Sequence, residues 1–580
     1  MLKSHVFILI LSVLVVSCAS TGHKERSDLR SFIQQKKYDE ALNFVEKNDF
    51  FKEERSRLLY YLEKGIIHHY KGNYFQSSQN LNEAILLSEK LFTKSISSAA
   101  KTAITNDAYD LYYGEMYERS LMYYFSSLNH LMLFQKGKYE SYSVQEGEAT
   151  KVVPEKVLSD REKKEELFRA RASVLAWDSF LSTIKKNRLG DTVFKDDLLA
   201  KLFGAYVHEV VGTRSDMQIA LSLYVDAYDI LFKNYNRYES LNTLADKFRA
   251  DYSKLPQMTP LDIEKKYIAR TPLQNDLIEY IQLKVLSLGK KYRAGELKKY
   301  VRTLNIPDEI EKRAKLDSGN ANVGIVLQQG LIPAKVPDKH YYGLEQALRD
   351  PNSSSGVKAA AAIGHSVLTV FAAEKLGLLP PPQSYDPVQA HVGLNVASIA
   401  AEKIAFAFEL PKIDYRQLNH KFVIRALDVS GKEIASKTAV VGAPLADLAK
   451  EGVQEHSTSV FVRTGLRVAG KHLAAIAASY GTYKALEKQG EFFARSAAVL
   501  QYVGATKGIE ASESADTRYW SSLPESINLT DLSLPKGDYK LEVYHLGMGE
   551  RFDPIKSLKV QEIAVQVEDT SQKQIVLVGI

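Results

Sequence analysis

Residues 61–84 read YLEKGIIHHYKGNYFQSSQNLNEA. Tyr61, Gly65 and His68 recur at helical spacing before the Gly72-Asn73 break, and Tyr74, Ser77, Leu81 and Ala84 recur after it. This predicts two helices joined by a tight turn, because glycine closes a helix in the left-handed region at no steric cost. Thirty-six positions earlier (74 − 38), Lys37-Tyr38 leads to Ala41 and Val45 in the same register. A third echo is Ala220, Tyr224 and Ala227, after a helix containing Tyr206 and Val210, and a weak fourth surrounds Gly137 and Tyr139. From Ser27 to about Arg302 the chain reads as helix after helix.

The spacing resembles the tetratricopeptide pattern, in which small residues let paired helices approach and large ones fill between them. Such units need about three neighbours to bury their faces. The echoes are irregular, which predicts a short repeat array elaborated with long helices over 29–303; a generic helical bundle is the alternative. Either offers a concave surface that binds peptide or protein. The residues expected to line it are Tyr61, Gly65, His68, Tyr74 and Tyr224. Glu140 to Glu155, with Gly147 and Pro154, reads as a loop. The run Asp160-Arg161-Glu162-Lys163-Lys164-Glu165-Glu166 mixes both signs, as a solvated helix face does. The more one-signed Lys290, Lys291, Arg293, Lys298, Lys299 and Arg302 also read as an exposed surface, with anionic headgroups or glycans as the alternative contact.

Past Asn320 the pattern changes. Val323 to Leu327 and Gly330 to Pro333 read as a strand and turn. Asp350 to Gly356 reads as a flexible connection to an apolar helix over 357–379. Strands are expected at Ile404–Leu410, Phe422–Asp428, Glu433–Val441, Glu525–Leu534, Asp538–His545, Lys556–Val567 and Gln574–Ile580. Between them, Ser459 to about Leu486 reads as a long helix. Its Gly465, Ala469, Ala474, Ala477, Ala478 and Gly481 suggest a tightly packed central core helix carrying a small sheet or β-sandwich. The expected class is therefore α+β, with a C-terminal domain over 320–580.

At 580 residues the chain can bury more than one core, and 45% hydrophobic with 25% charged residues excludes wholesale disorder. A net charge of +6 over 580 residues is too small to suggest a nucleic-acid partner. The single cysteine, Cys18, ends the apolar run Val6 to Val16, which follows Lys3 and is too short to span a bilayer. Val15-Val16-Ser17-Cys18 resembles the bacterial lipobox, where a small residue allows cleavage beside an acylated cysteine. The resemblance implies a signal peptide over 1–17, a lipidated tether over 18–28, and two or three acyl chains on Cys18 anchoring the protein to a bacterial membrane. Ala19 stands where Asp would favour inner-membrane retention, so the expected site is the periplasmic face of the outer membrane.

Further pieces, Gly324–Pro333, Phe408–Pro411, Arg463–Lys471 and Ala515–Trp520, together resemble a family of uncharacterised bacterial envelope lipoproteins with tetratricopeptide-like helical repeats. That resemblance implies a periplasmic scaffold or adaptor for envelope proteins; the alternative is a module binding lipid, glycan or peptidoglycan through its C-terminal domain. No catalytic residue, cofactor or metal follows from it. Gly465 to His472 has phosphate-loop spacing but a helical, alanine-rich setting and no Ser/Thr after Lys471. Ser366 and Ser479 sit in helical periodicity rather than at a strand-to-helix elbow. His68 and His69, adjacent on a helix, diverge by about 100° and cannot share a metal; His68 falls on a packing position and reads as a core histidine.

Overall fold

The computed structural model describes residues 22–98, 110–146, 149–186, 196–233, 238–242, 270–316, 321–343, 391 and 405–579. Cys18 and its leader, the connection over 350–356, Ser366 and the apolar stretch 357–379 lie outside the described residues.

The helical half consists of α1 (His23–Gln34), α2 (Tyr38–Lys47), α3 (Asp49–Lys52), α4 (Arg57–Lys71), α5 (Tyr74–Ser98), α6 (Met116–Lys136), α7 (Asp160–Lys186), α8 (Leu198–Val211), α9 (Arg214–Lys233), α10 (Pro272–Tyr292), α11 (Leu297–Thr303) and α12 (Asp308–Leu316). The first helix opens at His23 rather than near Leu29, and Arg26 is already buried, so the expected tether is partly helix. Gly72 closes α4 with φ 84°, and the amides of Gly72 and Asn73 bond back to the carbonyls of His69 and His68. Tyr38 and Tyr74, the residues thirty-six apart, each open the second helix of a helical hairpin. Gly65 lets α4 and α5 touch: a Cβ there would come within 3.0 Å of Leu81, and the Ser77 hydroxyl donates to the Gly65 carbonyl at 2.6 Å. From α4 to α10, each helix packs on the next in the chain.

Central to this array is α6, opened by a capping box of Glu115 and Glu118 and buried on every side from Tyr117 to Leu133. Its polar residues are paired: Ser120 with Asp197, Ser127 with the Ala170 carbonyl, Asn129 with Ser77, and His130 with Glu166.

The expected loop over 140–155 instead holds two small ribbons. β2 (Tyr142–Glu146) pairs with β3 (Ala149–Val153), and β1 (Lys138–Tyr139) with β4 (Lys156–Val157). Val144, Thr150, Val152 and Val153 are β-branched residues suited to extended backbone; Pro154, which suggested a loop, lies between β3 and β4, and Gly147 lies outside the described residues.

The other half is built from β5 (Val323–Gln329), β6 (Lys335–Gly343), β7 (Ala405–Ile413), β8 (His420–Asp428), β9 (Glu433–Pro444), α13 (Leu445–Leu486), α14 (Glu491–Ser512), β10 (Ser526–Leu532), β11 (Gly537–Gly547), β12 (Leu558–Val567) and β13 (Gln574–Val578). Seven strands form one sheet in the order β12-β11-β8-β9-β10-β5-β13, antiparallel except for β5 with β13, so the fold is α+β. Both faces of β5 are buried. Val326 joins a core that runs from Leu29 through Trp177 to Ile527 and Ile575, so helices and sheet share one interior. On the opposite face Val323, Ile325 and Leu327 meet Val565 and Val567 of one edge strand and Val576 and Val578 of the other. Edges at opposite ends of the order share this second core because the sheet curls until nearly closed.

Two expectations fail here. The sheet packs against the N-terminal helices rather than on the alanine-rich helix. That helix, α13, starts at Leu445 and is buried in its first turns, but Ala474, Ala477, Ala478 and Gly481 are exposed, and a Cβ at Gly465, Gly470 or Gly481 would meet nothing. It pairs with α14, an unanticipated helix reached through Gly490 at φ 123°. Small side chains suit both a tightly packed face and an uncovered one, so their periodicity does not discriminate.

Candidate functional site

The helical array already holds a peptide, and it is the chain's own. Residues 514–523, between α14 and β10, run irregularly across α1, α4 and α6. Their side chains and backbone are held by charged groups on those helices. Glu63 of α4 accepts from the Ser521 amide at 2.8 Å, the Ser521 hydroxyl at 2.7 Å and the Ser522 hydroxyl. Glu118 of α6 accepts from the Trp520 amide at 2.7 Å, the Glu115 amide at 2.8 Å and the Tyr112 hydroxyl. Arg30 of α1 donates to the carbonyls of Ile332 and Ser521 at 2.7 and 2.8 Å, and Tyr70 donates to the Ser522 carbonyl at 2.8 Å. Arg26 reaches the Thr517 hydroxyl at 2.8 Å, and Arg518 points back to the carbonyls of Arg55 and Asp110. Trp520 is fully buried against Phe125.

Burial perturbs these groups in the direction expected of charges taken from water. It pushes the Glu118 carboxyl up to about 7, with the nearby Glu115 adding to the effect and the three donors opposing it. Burial also raises Glu63, against the pull of Ser522 and Ser521, and lowers Arg26. Asp516 goes the other way: burial would raise it, but the adjacent Arg518 guanidinium outweighs this.

A second buried network joins array to sheet. Lys284 of α10 lies 2.8 Å from Glu209 of α8 and 3.2 Å from Asp531 of β10, while Lys573 lies 2.8 Å from Glu209 and 2.5 Å from Asp531. Tyr224 donates to Glu209 at 2.6 Å and Tyr280 to Asp531 at 2.7 Å. Burial would raise both carboxyls, but the two ammonium groups outweigh it and hold them below the usual range. Two cations against two anions leave no charge for a ligand to balance; the arrangement is a neutral weld between halves of the fold.

Three clefts are open among the described residues, and one of them, of about 650 Å³, has Glu209, Tyr280, Lys284, Asp531 and Lys573 of this network in its lining; the other two are larger. One, of about 1090 Å³, lies where the β6–β7 ribbon meets α13 and is lined by charged groups including Lys335, Lys450, Arg467, Glu115 and Asp516. The other, of about 880 Å³, is a groove with α5 and α7 as banks and the Arg119, Tyr123, Ser126 and His130 face of α6 as floor.

None of the five residues expected to line a groove lies in any of the three clefts. Tyr61 is half-buried against Tyr60 and takes a hydrogen bond from Arg57. Gly65 is the α4–α5 contact. Tyr74 is buried beneath Lys136, and Tyr224 belongs to the neutral weld. His68 is half-buried, and burial lowers its imidazole to about 3. The fully buried histidine is its neighbour His69, whose ring nitrogens meet Asn129 at 2.6 Å and Gln328 at 3.1 Å. The residues that do hold a peptide, Arg26, Glu63 and Glu118, were missed because charges on helices read as solvent-facing. One signal was present: Glu63 interrupts the apolar run Leu58, Leu59, Leu62, Ile66, Ile67, where a carboxylate needs a buried partner.

Among the described residues, no three of His, Cys, Asp or Glu come together as a metal site, and no helix is long and apolar enough to cross a membrane. No protein-family model, curated protein or solved structure matches the chain.

Proposed function

We propose that the protein is a non-enzymatic adaptor of the bacterial envelope, anchored by acyl chains on Cys18 to the periplasmic face of the outer membrane, whose tetratricopeptide-like helical array binds segments of envelope proteins. The observation that carries this reading is the capture of residues 514–523. The array binds an irregular segment through donors and acceptors aimed at both its backbone and its hydroxyl groups, together with a buried aromatic anchor, as peptide-binding arrays do. With α1 opening at His23, fewer than about 20 Å of extended chain separate Cys18 from the fold, which keeps the array beside the bilayer.

Two measurements test it. Replacing Cys18→Ser is expected to leave an unlipidated precursor and abolish its acyl-dependent membrane attachment; unchanged attachment removes the anchor. Chemical crosslinking in intact cells followed by purification is expected to recover defined envelope proteins; recovering none sinks the adaptor. A second reading, a module for glycan or peptidoglycan fragments, is favoured by the charged cleft beside α13 and predicts that such fragments protect Lys450 from amine labelling.

A further inference from the structure

Resting on the membrane anchor in that reading, we infer that residues 290–302 form a contact surface for anionic phospholipid headgroups, which holds the last helices of the array against the bilayer that carries the acylated Cys18. Lys290, Lys291, Arg293, Lys298, Lys299 and Arg302 are all exposed. Glu296 is the single carboxylate in this stretch, within a chain whose net charge is only +6. The fold sets three of the cations on one face. Leu297, Tyr300 and Val301 of α11 pack onto the core, and α11 lies against α10 at Gly289, where a Cβ would come within 3.1 Å of Leu297. Helical spacing then turns Lys298, Lys299 and Arg302 outward, with Thr303 beside them. Lys290, Lys291 and Arg293 follow directly on Gly289, where α10 ends.

Ordinary surface charge does not account for the cluster. Elsewhere on the array exposed cations stand beside carboxylates: Lys138 lies 2.7 Å from Glu155, Lys156 2.6 Å from Glu162 and Arg161 3.1 Å from Glu165. Here Arg293 pairs with Glu296 at 2.9 Å, while the other five cations have no ion-pair partner among the described residues. Asp308, Glu309 and Glu311 open α12 nearby in the chain and pair with none of them. Helix electrostatics does not place them either, since Lys298 and Lys299 occupy the first turn of α11, where the positive end of the helix dipole disfavours cations. None of the six lines any of the three clefts, so the surface suits a broad plane of negative charge better than a discrete ligand. Tyr292 and Tyr300, half-buried among the cations, are amphipathic rings of the kind that sit at headgroup level. The short tether keeps the fold beside such a plane, and basic side chains near an anionic leaflet add to the hold of an acyl anchor.

The test reconstitutes the mature full-length protein into vesicles. Cys18 is the chain's only cysteine and its acylation leaves no other thiol, so Thr303→Cys supplies a single site for a fluorophore. Val429→Cys, at a position 87% exposed near the β8–β9 turn, is the control. A trace of lipid with a quencher on its headgroup is expected to quench the Thr303→Cys label at least about threefold more in vesicles of phosphatidylcholine and phosphatidylglycerol than in phosphatidylcholine alone. The control label is expected to be quenched equally in both. Lys298→Glu, Lys299→Glu and Arg302→Glu together are expected to remove the difference, and so is salt at about 0.5 M, which shortens the screening length to roughly 4 Å without any substitution. Equal quenching at Thr303→Cys in the two vesicles, or a difference indifferent to charge reversal or to salt, overturns the proposal. Flotation of the same vesicles tests the anchor separately. Protein that floats with both kinds while its Thr303→Cys label senses no difference leaves the anchor standing and removes the surface. Protein that floats only with phosphatidylglycerol vesicles, and not after charge reversal, leaves the surface standing and removes the anchor; no flotation with either removes both.

Discussion

The two peptide-sized grooves of the helical array differ in one respect. The one crossed by residues 514–523 is lined by buried Arg26, Glu63 and Glu118, each already bonded to that segment or its neighbours. The one between α5 and α7 is lined in part by exposed Leu86, with Phe168 and Leu175 exposed on α7 outside its lining. A buried charge is tolerable only where its partner is permanent, because leaving it alone costs several kcal/mol. Exposed apolar side chains cost far less while uncovered. A groove built on buried charge is therefore suited to a ligand that never leaves.

That contrast can be broken most forcefully at Trp520. Trp520→Ala is expected to destabilise the fold by about 3–5 kcal/mol in denaturant titration, since the cavity lies in the shared core; a loss below about 1 kcal/mol would mean that the segment is not integral. Glu63→Ala is expected to cost about 3 kcal/mol, because the Ser521 amide and two hydroxyls lose their acceptor while buried. The comparison with Glu63→Gln, which keeps an acceptor, should recover part of it.

A pH series sharpens the comparison. With its carboxyl raised from 4.5 to about 7, Glu118 binds its proton more tightly in the folded protein. Its contribution to stability is complete below pH 4.5 and is lost as pH rises through 7. Glu118→Gln should therefore gain on the natural protein by about 2 kcal/mol between pH 4.5 and 7. A difference independent of pH would show that the group is not perturbed. The smallest effect belongs to the open groove: Ala176→Glu, at an exposed position, is expected to change stability by no more than about 0.5 kcal/mol in denaturant titration.

Much of the secondary structure was legible. The helical hairpin around Gly72 and the C-terminal strands each carry a local signal, periodicity of 3.6 or 2 interrupted by turn residues. The ribbons over 138–157 and helix α14 were not read, the first because Gly147 and Pro154 outweighed four β-branched residues; over the second no capping signal marks the start, and α14 opens after Gly490 without a side-chain cap. The site was nearly illegible. Ala515–Trp520 stood out as a piece of a resemblance, but nothing in it indicates that it lies across helices formed some four hundred and fifty residues earlier.

The amino-acid order by itself determined the local elements, including the short apolar run of β5, because those depend on neighbours within a few residues. It also carries the lipobox-like motif on which the proposed anchor depends. Only the tertiary structure decided which surfaces are covered. Glu63 and Ser521 are separated by 458 positions, and Ala474, Ala477, Ala478 and Gly481 of α13 are exposed although small residues would suit a core. Burial is set by whatever packs from the other side, and no local pattern contains that side.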